Sequence, residues 1–356
     1  MRAAVTRDNR LDVRQVDDPV PGPGHVLART LACGICGSDL HALEHLSDLG
    51  RLSERAGAPG AIGAGRDVIF GHEFCAEILE YGPDTEHRSP IGTKVCAMPV
   101  LIAPSGIEAI GYSHTYPGGL AELIVLQEAL LLEVPDGLAP EHAALTEPLA
   151  VGEHAVGIAG VEAGAVCLVL GCGPVGLSVI AALKLRGHGP VIAADFSPVR
   201  RHLAELLGAD VVVDPREGSP HEKWADFGVV GSVGDRAAID FLGGTTPAAI
   251  IFEAVGTPGM LQAIIDQAPA KARIVVVGVC MTPDQIEPAL AVMKQLELRF
   301  SFGYDAVEFE RSLDRLGGGL VPAEHLVTGL VDLDDVAAAF RTLADPGEHG
   351  KLIVRH

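Results

Sequence analysis

The chain has 356 residues, 48% of them hydrophobic, with 47 acidic against 26 basic side chains and a formal net charge of −21. That length accommodates two domains of ordinary size, and a polyanion of this kind is repelled by nucleic acid and by acidic membrane surfaces, so neither is an expected partner. No basic stretch leads into an N-terminal apolar run, and no window of about 18 uninterrupted apolar residues occurs, so neither a signal peptide nor a membrane span is expected.

Residues 1–35 alternate short β-rich runs with turn signals, and 26–31 is predicted as a strand after the Pro21-Gly22-Pro23-Gly24 turn. Residues 47–66 lose apolar periodicity and fill with Gly, Ala and Arg, which reads as an exposed loop. Further strands are predicted at 68–70, 75–79 and 94–97, and 99–119 is irregular again. The first third therefore has no strong long helix and the look of a small β-barrel. From 140 to 160 the spacing is helical and Ala-rich, with Pro148 expected to end or kink a helix. The continuous apolar run 166–170 is what a strand buried on both faces of a parallel sheet requires.

After it a helix at 174–187, a strand at 191–194, a helix at 200–207 and strands at 211–213, 250–252 and 274–277 follow in alternation. That alternation predicts an α/β fold with a doubly wound parallel sheet. It weakens after residue 294, where 296–302 reads as a late strand at the sheet edge and 305–356 is expected to return to the first domain. The expected division is a first domain of 1–150, completed by 295–356, and a second of 151–294.

The seven cysteines are odd in number and irregular in spacing, which argues against a disulfide framework and fits a reducing cytoplasm. Gly171-Cys172-Gly173-Pro174-Val175-Gly176 lies between a predicted buried strand and a predicted helix. In that context the first glycine permits a tight turn and the second lets the backbone approach a pyrophosphate. The third lets helix and strand pack closely, with the phosphates at the positive end of the helix dipole. Asp195 ends the next strand, where a carboxylate accepts from both ribose hydroxyls and repels a 2′-phosphate. NAD is therefore expected in preference to NADP.

Cys33-Gly34-Ile35-Cys36 alone suggests half of a structural zinc site or a redox pair. No second Cys-x-x-Cys completes a four-cysteine site, and the flanking pattern is not that of a thioredoxin-like unit. One thiolate, Cys36, with His72 and carboxylates instead describes a catalytic metal site with an exchangeable position. Gly71-His72-Glu73 falls at a predicted strand start, and Cys33 reads as a small buried residue. Tyr112, Tyr116 and Tyr304 are candidates to line a substrate site or are ordinary surface residues.

Cys33–His41, Gly71-His72-Glu73, Pro117–Glu122, Thr146–Val151 and Gly171–Gly176 occur in the order seen in one family. The chain resembles the zinc-dependent medium-chain dehydrogenase/reductase superfamily, the alcohol and polyol dehydrogenases, over nearly its whole length. The resemblance implies a GroES-like β-barrel catalytic domain, a Rossmann domain and an active cleft between them. It implies that Cys36 and His72 are zinc ligands, that Glu73 binds the metal or waits beside it, and that Glu147 supplies the last ligand, as in polyol and glucose dehydrogenases. Asp39 resembles the carboxylate that orients the ligand histidine, Ser38 the hydroxyl that takes the substrate proton, and His41 the outer end of that relay.

Among cofactor contacts, Arg200 matches a basic residue after the ribose carboxylate, and Val277, Gly278 and Val279 match the segment that holds the nicotinamide amide. Lys351 falls near a basic pyrophosphate contact. The lobe in which many relatives hold a structural zinc offers only Cys96, so one catalytic zinc and no structural zinc are expected. The expected reaction is hydride transfer between a small-molecule alcohol, a secondary alcohol or polyol, and NAD, by a homodimer or homotetramer. A zinc enzyme acting on an amino alcohol, sugar or aldehyde stays open beside it, and a non-enzymatic protein of the same fold is the remaining alternative. The long spacing between Cys36 and His72 puts extra residues at 47–66, where a substrate rim is expected.

Overall fold

The fold was described from a computed structural model covering residues 1–356 except 58–61, 64, 346 and 348. Contacts divide the chain into two compact units, Met1–Glu147 with Phe309–His356, and Pro148–Glu308. The stretch 295–308, expected with the first domain, thus belongs to the second.

The first unit is organised by one long strand, His25–Gly34, whose alternating apolar residues face a common core. Glu73–Tyr81 pairs with it antiparallel along its length, Leu123–Gln127 along its first half, and Lys351–Arg355 along its last residues. The sheet runs Val327–Asp332, Lys351–Arg355, His25–Gly34, Glu73–Tyr81, Lys94–Ala97, Leu131–Glu133. Phe70, Ile78, Leu120, Ile124 and Leu126 fill its interior without exposure. Register places Gly34 directly opposite Glu73 on one side and Ile353 on the other. The ends of three strands therefore meet where the chain leaves the sheet at Ile35 and Cys36.

Three local expectations for this unit change. Residues 47–56, read as loop, lie in the helix Leu46–Ala56, closed by Gly57 in the left-handed region; part of that predicted loop, 58–61 and 64, lies outside the described residues. Residues 68–70 make only a single bridge, Val68 to Thr6, rather than a strand. The irregular stretch 99–119 holds a hairpin, Val100–Ala103 with Gly106–Ala109.

In the second unit six strands pair in parallel in the order Val211–Val213, Val191–Ala194, Val166–Leu170, Ala249–Glu253, Arg273–Val276, Glu297–Phe300. Numbered within the unit this is 3-2-1-4-5-6, the doubly wound order that binds dinucleotides where the strand order reverses. Val166–Leu170 is buried throughout, as its unbroken apolar run requires. Pro148 neither ends nor kinks a helix. It sits in the first turn of Thr146–Ala159, where a missing N–H leaves nothing unsatisfied. Among the described residues no helix is long and apolar enough to cross a membrane.

Candidate active site

Where the strand His25–Gly34 ends, the chain turns at Cys36, which has extended backbone and caps the helix Gly37–Glu44. This helix carries Ser38, Asp39 and His41. Ser38 and His41 are three residues apart and so share a face. Asp39 is fully buried. Its Oδ2 accepts the Cys36 backbone N–H at 3.0 Å, closing the first turn, and its Oδ1 faces His72 Nδ1 at 3.4 Å. The carboxylate therefore fixes the imidazole with Nδ1 inward and leaves Nε2 for another partner.

The ligand atoms of Cys36, His72 and Glu73 lie within 4.8 Å of one another, the one such trio of metal-binding side chains among the described residues. Thiolate, imidazole and carboxylate together form a zinc-type donor set. The site has the mark of a place kept for an ion: Glu73 is fully buried and its Oε1 has no hydrogen-bond partner. Burial opposes a charge on His72, but Asp39 and Cys36 beside it outweigh this and hold the imidazole well above its ordinary pKa when no metal competes.

Glu147 lies outside this trio. It is 8% exposed at the start of the helix Thr146–Ala159, near enough to Lys351 for its charge to favour the ammonium.

Lys351 is a correction. Expected at a pyrophosphate, it is 2% exposed, its Nζ forms an ion pair with Glu73 Oε2 and donates to the Ile35 carbonyl at 3.0 Å. Burial disfavours its charge, yet Glu73 and Cys36 outweigh that and hold its pKa above the usual lysine value. It is a buried counter-ion of the donor trio with no free reach for a phosphate. Sequence offered no sign of this, because the pairing of Lys351–Arg355 with the end of His25–Gly34 is what brings it there.

Two further residues escaped the sequence reading. Tyr112, left open between cleft and surface, places its hydroxyl 2.8 Å from Ser38 Oγ and 3.1 Å from Asp39 Oδ1. Gly34 matters for what it lacks. A Cβ there would stand 2.0 Å from Glu73 Oε2 and 2.9 Å from Lys351 Cε.

In the second unit the glycine turn does what its spacing implied. Gly171 has φ +87°, a left-handed conformation, and a Cβ on it would meet Val255 and the Ala254 carbonyl at the end of the strand Ala249–Glu253. Gly173 caps the helix Pro174–Leu185, with Pro174 and Val175 in its first turn, where backbone N–H groups have no partner within the helix. Gly176 packs so closely that a Cβ would lie 1.8 Å from the Gly171 carbonyl oxygen. Asp195 is anchored by both oxygens, accepting the Cys172 N–H and the Ser197 N–H at 2.7 Å each. Arg200 approaches Gly173, and its Nε is buried without a hydrogen-bond partner, an arrangement that suits an anion. Val277 and Gly278 both donate their backbone N–H to the Glu253 carbonyl at 2.9 Å, while Val279 is 49% exposed.

Gly34→Ala should force Glu73 or Lys351 from its place. Overpacking a buried site costs about 1–3 kcal/mol, so the variant is expected to melt several degrees lower and to lose zinc faster to a chelator than the parent. Equal melting and equal zinc release would mean that Glu73 has room to move.

Comparison with known proteins agrees with this geometry. Residues 22–136 match the alcohol dehydrogenase GroES-like domain, and 174–317 match the zinc-binding dehydrogenase domain. The chain is 32% identical to (R,R)-butanediol dehydrogenase of Bacillus subtilis over 98% of its own length and 97% of that protein's. It is 28% identical to sorbitol dehydrogenase of Bacillus subtilis over 99% of this chain and 97% of the relative. The crystal structure of 2R,3R-butanediol dehydrogenase from Bacillus subtilis superposes with a TM-score of 0.76 at 28% identity, covering 100% of this chain and 99% of that one. A GroES-like sheet carrying a zinc-type donor trio, a doubly wound dinucleotide sheet and full-length likeness to these enzymes lead to one conclusion: the chain belongs to the zinc-dependent medium-chain dehydrogenase/reductase superfamily.

Proposed function

We propose that this protein oxidises a secondary alcohol or polyol to the carbonyl compound, with NAD as hydride acceptor and one zinc ion per chain. The observation that carries this reading is the gathering of Cys36, His72 and Glu73, with Asp39 behind His72 and the Tyr112 hydroxyl within reach of both Asp39 and Ser38. Cys36, His72 and Glu73 would hold the zinc, with Glu147 completing the set. Bound there, zinc supplies Lewis-acid polarisation of a substrate oxygen. Ser38 accepts the hydroxyl proton as the hydride leaves carbon, and His41 passes it toward solvent. Two electrons and one proton go to the nicotinamide, and one proton to water. Asp39 keeps His72 oriented throughout, as a carboxylate behind a metal-bound histidine does in other zinc sites. Lys351 offsets the negative charge of Glu73.

The glycine turn, with Arg200 and the 277–279 segment, would hold the dinucleotide. Asp195 favours NAD, because its anchored carboxylate leaves no room for a second negative charge on the ribose. Seven free thiols, five of them buried, suit a reducing compartment such as the cytoplasm.

The donor set and the relay support an alcohol, and likeness to butanediol and sorbitol dehydrogenases supports a secondary or polyhydric one. A panel of butane-2,3-diol, sorbitol, threonine, glucose and primary alcohols, read as NADH formation, should show preference for a secondary alcohol or polyol. Elemental analysis should give no more than one zinc per chain, lost with activity in Cys36→Ala. A clear preference for primary alcohols, or two zinc ions per chain, contradicts the proposal.

Asp195→Ser should narrow the choice of cofactor. The parent is expected to prefer NAD at least tenfold in kcat/KM, about 1.4 kcal/mol, for one charge repulsion in a partly exposed site. Equal values in the parent would assign the choice to another group.

We further propose a homodimer, or a dimer of such dimers, joined at the outer strand of the parallel sheet. Glu297–Phe300 leaves one edge unpaired, and Phe300 and Phe302 beside it are 70% and 92% exposed. An open apolar edge is a liability unless it is covered. Light scattering at micromolar concentration should give at least twice the chain mass, and Phe302→Glu should lower it. A monomeric mass for the parent rules the assembly out.

A further inference from the structure

A serine hydroxyl turns freely about its C–O bond, so Ser38 relays a proton efficiently only if something fixes the direction of its lone pairs. The helix Gly37–Glu44 places Ser38 but does not orient its Oγ. The neighbour in hydrogen-bond reach of that oxygen is Tyr112. It follows the hairpin that ends at Ala109, to whose carbonyl its own N–H donates at 3.0 Å. Its ring is set by two others, with centroids 5.9 Å from Phe70 and 5.4 Å from His72. The phenol oxygen thus has a defined position, 2.8 Å from Ser38 Oγ and 3.1 Å from Asp39 Oδ1.

A phenol carries one proton, and here it has two acceptors. Asp39 accepts only, and it already holds the Cys36 N–H and faces His72. When Tyr112 donates to Ser38, one Ser38 lone pair is filled. The other is left for the incoming substrate proton, and the serine's own hydrogen is free to be handed on. That is the arrangement a relay needs. When Tyr112 donates to Asp39, the Ser38 hydrogen turns toward the phenol oxygen and the onward path is blocked. In the first arrangement Tyr112 occupies a lone pair of Ser38, and in the second it captures the Ser38 hydrogen.

We propose that Tyr112 is a positioning residue for the proton relay: its hydroxyl fixes the Ser38 hydroxyl and joins it to Asp39, the carboxylate that orients the ligand His72. This rests on the relay reading of Ser38 given above. The four side chains come from three separate segments, so the network couples the hydroxyl that receives the proton to the histidine that would hold the metal.

The test is a double-mutant cycle on the zinc-loaded protein, comparing the parent, Tyr112→Phe, Ser38→Ala and the double variant. Tyr112→Phe keeps the ring against Phe70 and His72 and removes only the hydroxyl. It should lower kcat by roughly tenfold or more while KM stays within about threefold, because the loss falls on proton transfer rather than binding. In the Ser38→Ala background the same change should cost less than about twofold, since the two residues act as a unit. Two readouts stand apart from turnover: zinc per chain should be unchanged in all four proteins, and the double variant should melt no lower than the worse single one. A structural role alone would instead give additive losses in both kcat and melting temperature, and would overturn the proposal. A full-rate Tyr112→Phe beside an impaired Ser38→Ala overturns the positioning role and spares the relay. An unimpaired Ser38→Ala overturns the relay reading and this proposal with it.

Discussion

Asp39 is buried, and polar groups from three separate segments converge on it. The Cys36 N–H closes the first turn of its own helix, His72 faces it from the start of the strand Glu73–Tyr81, and Tyr112 reaches it from beyond the 100–109 hairpin. A buried carboxylate without partners would cost several kcal/mol. Each charge-assisted hydrogen bond returns about 1.5–3 kcal/mol, so the ion is stable there only while these segments stay together. The same contacts orient Cys36, His72 and Ser38. The local fold and the proposed chemistry thus hang on one group: disturbing Asp39 would loosen the helix cap, the ligand histidine and the relay hydroxyl at once.

The electrostatics of the trio impose a second constraint. Asp39, Glu73, Glu147 and a Cys36 thiolate crowd negative charge into a largely buried region. A dipositive ion answers half of it when bound, but the polypeptide must also fold before the ion arrives. Lys351 meets that need from within the chain, paired with Glu73 and anchored to the Ile35 carbonyl. Its strand lies beside the end of His25–Gly34, and the absence of a side chain on Gly34 gives the pair its space. A residue more than 300 positions away in sequence thereby becomes part of a site nucleated at Cys36. The return of Phe309–His356 to the first unit supplies the counter-charge as well as two strands.

What the sequence made legible follows from how local each signal is. The strand–glycine–helix unit around Gly171 was readable because Gly171 and Gly176 answer to contacts within six residues and at the end of one neighbouring strand. Cys36, His72 and Glu73 were readable as a set because their chemistry is uncommon, even though the sheet register that unites them is not visible in the spacing. Lys351 and Tyr112 were not readable for the opposite reason. An isolated lysine or tyrosine has no pattern, and each owes its role to strand pairing or ring packing far away in the chain. The helix Leu46–Ala56 was missed through Gly50, which interrupts the apolar spacing of Leu46, Leu49 and Leu52. That glycine is there for contact: a Cβ on it would lie 2.2 Å from the Ile62 carbonyl oxygen. A residue that looks like a helix breaker is what allows the helix to dock.

That docking changes how the segment between Cys36 and His72 should be understood. A long insertion beside a relay helix invites the picture of a mobile rim, adjustable to many substrates. Here Leu46 and Ile62 are 1% and 2% exposed and join the main core of the first unit. Gly50 lies against the Ile62 backbone. His114 secures the far side, accepting the Gly63 N–H at Nε2 and meeting the Asp67 carbonyl at Nδ1, both at 3.0 Å. With Nδ1 donating and Nε2 accepting, the ring does this as a neutral imidazole in one tautomer. Burial and directed hydrogen bonds are the features that raise the cost of local opening, so these contacts hold both ends of the insertion as part of the scaffold. The helix that carries His41 runs into Leu46–Ala56 across the single residue His45. Any change in the insertion's packing is therefore transmitted by the backbone itself to the helix that carries Ser38 and His41, and its sequence constrains the orientation of those side chains as well as the shape of whatever lies beside them.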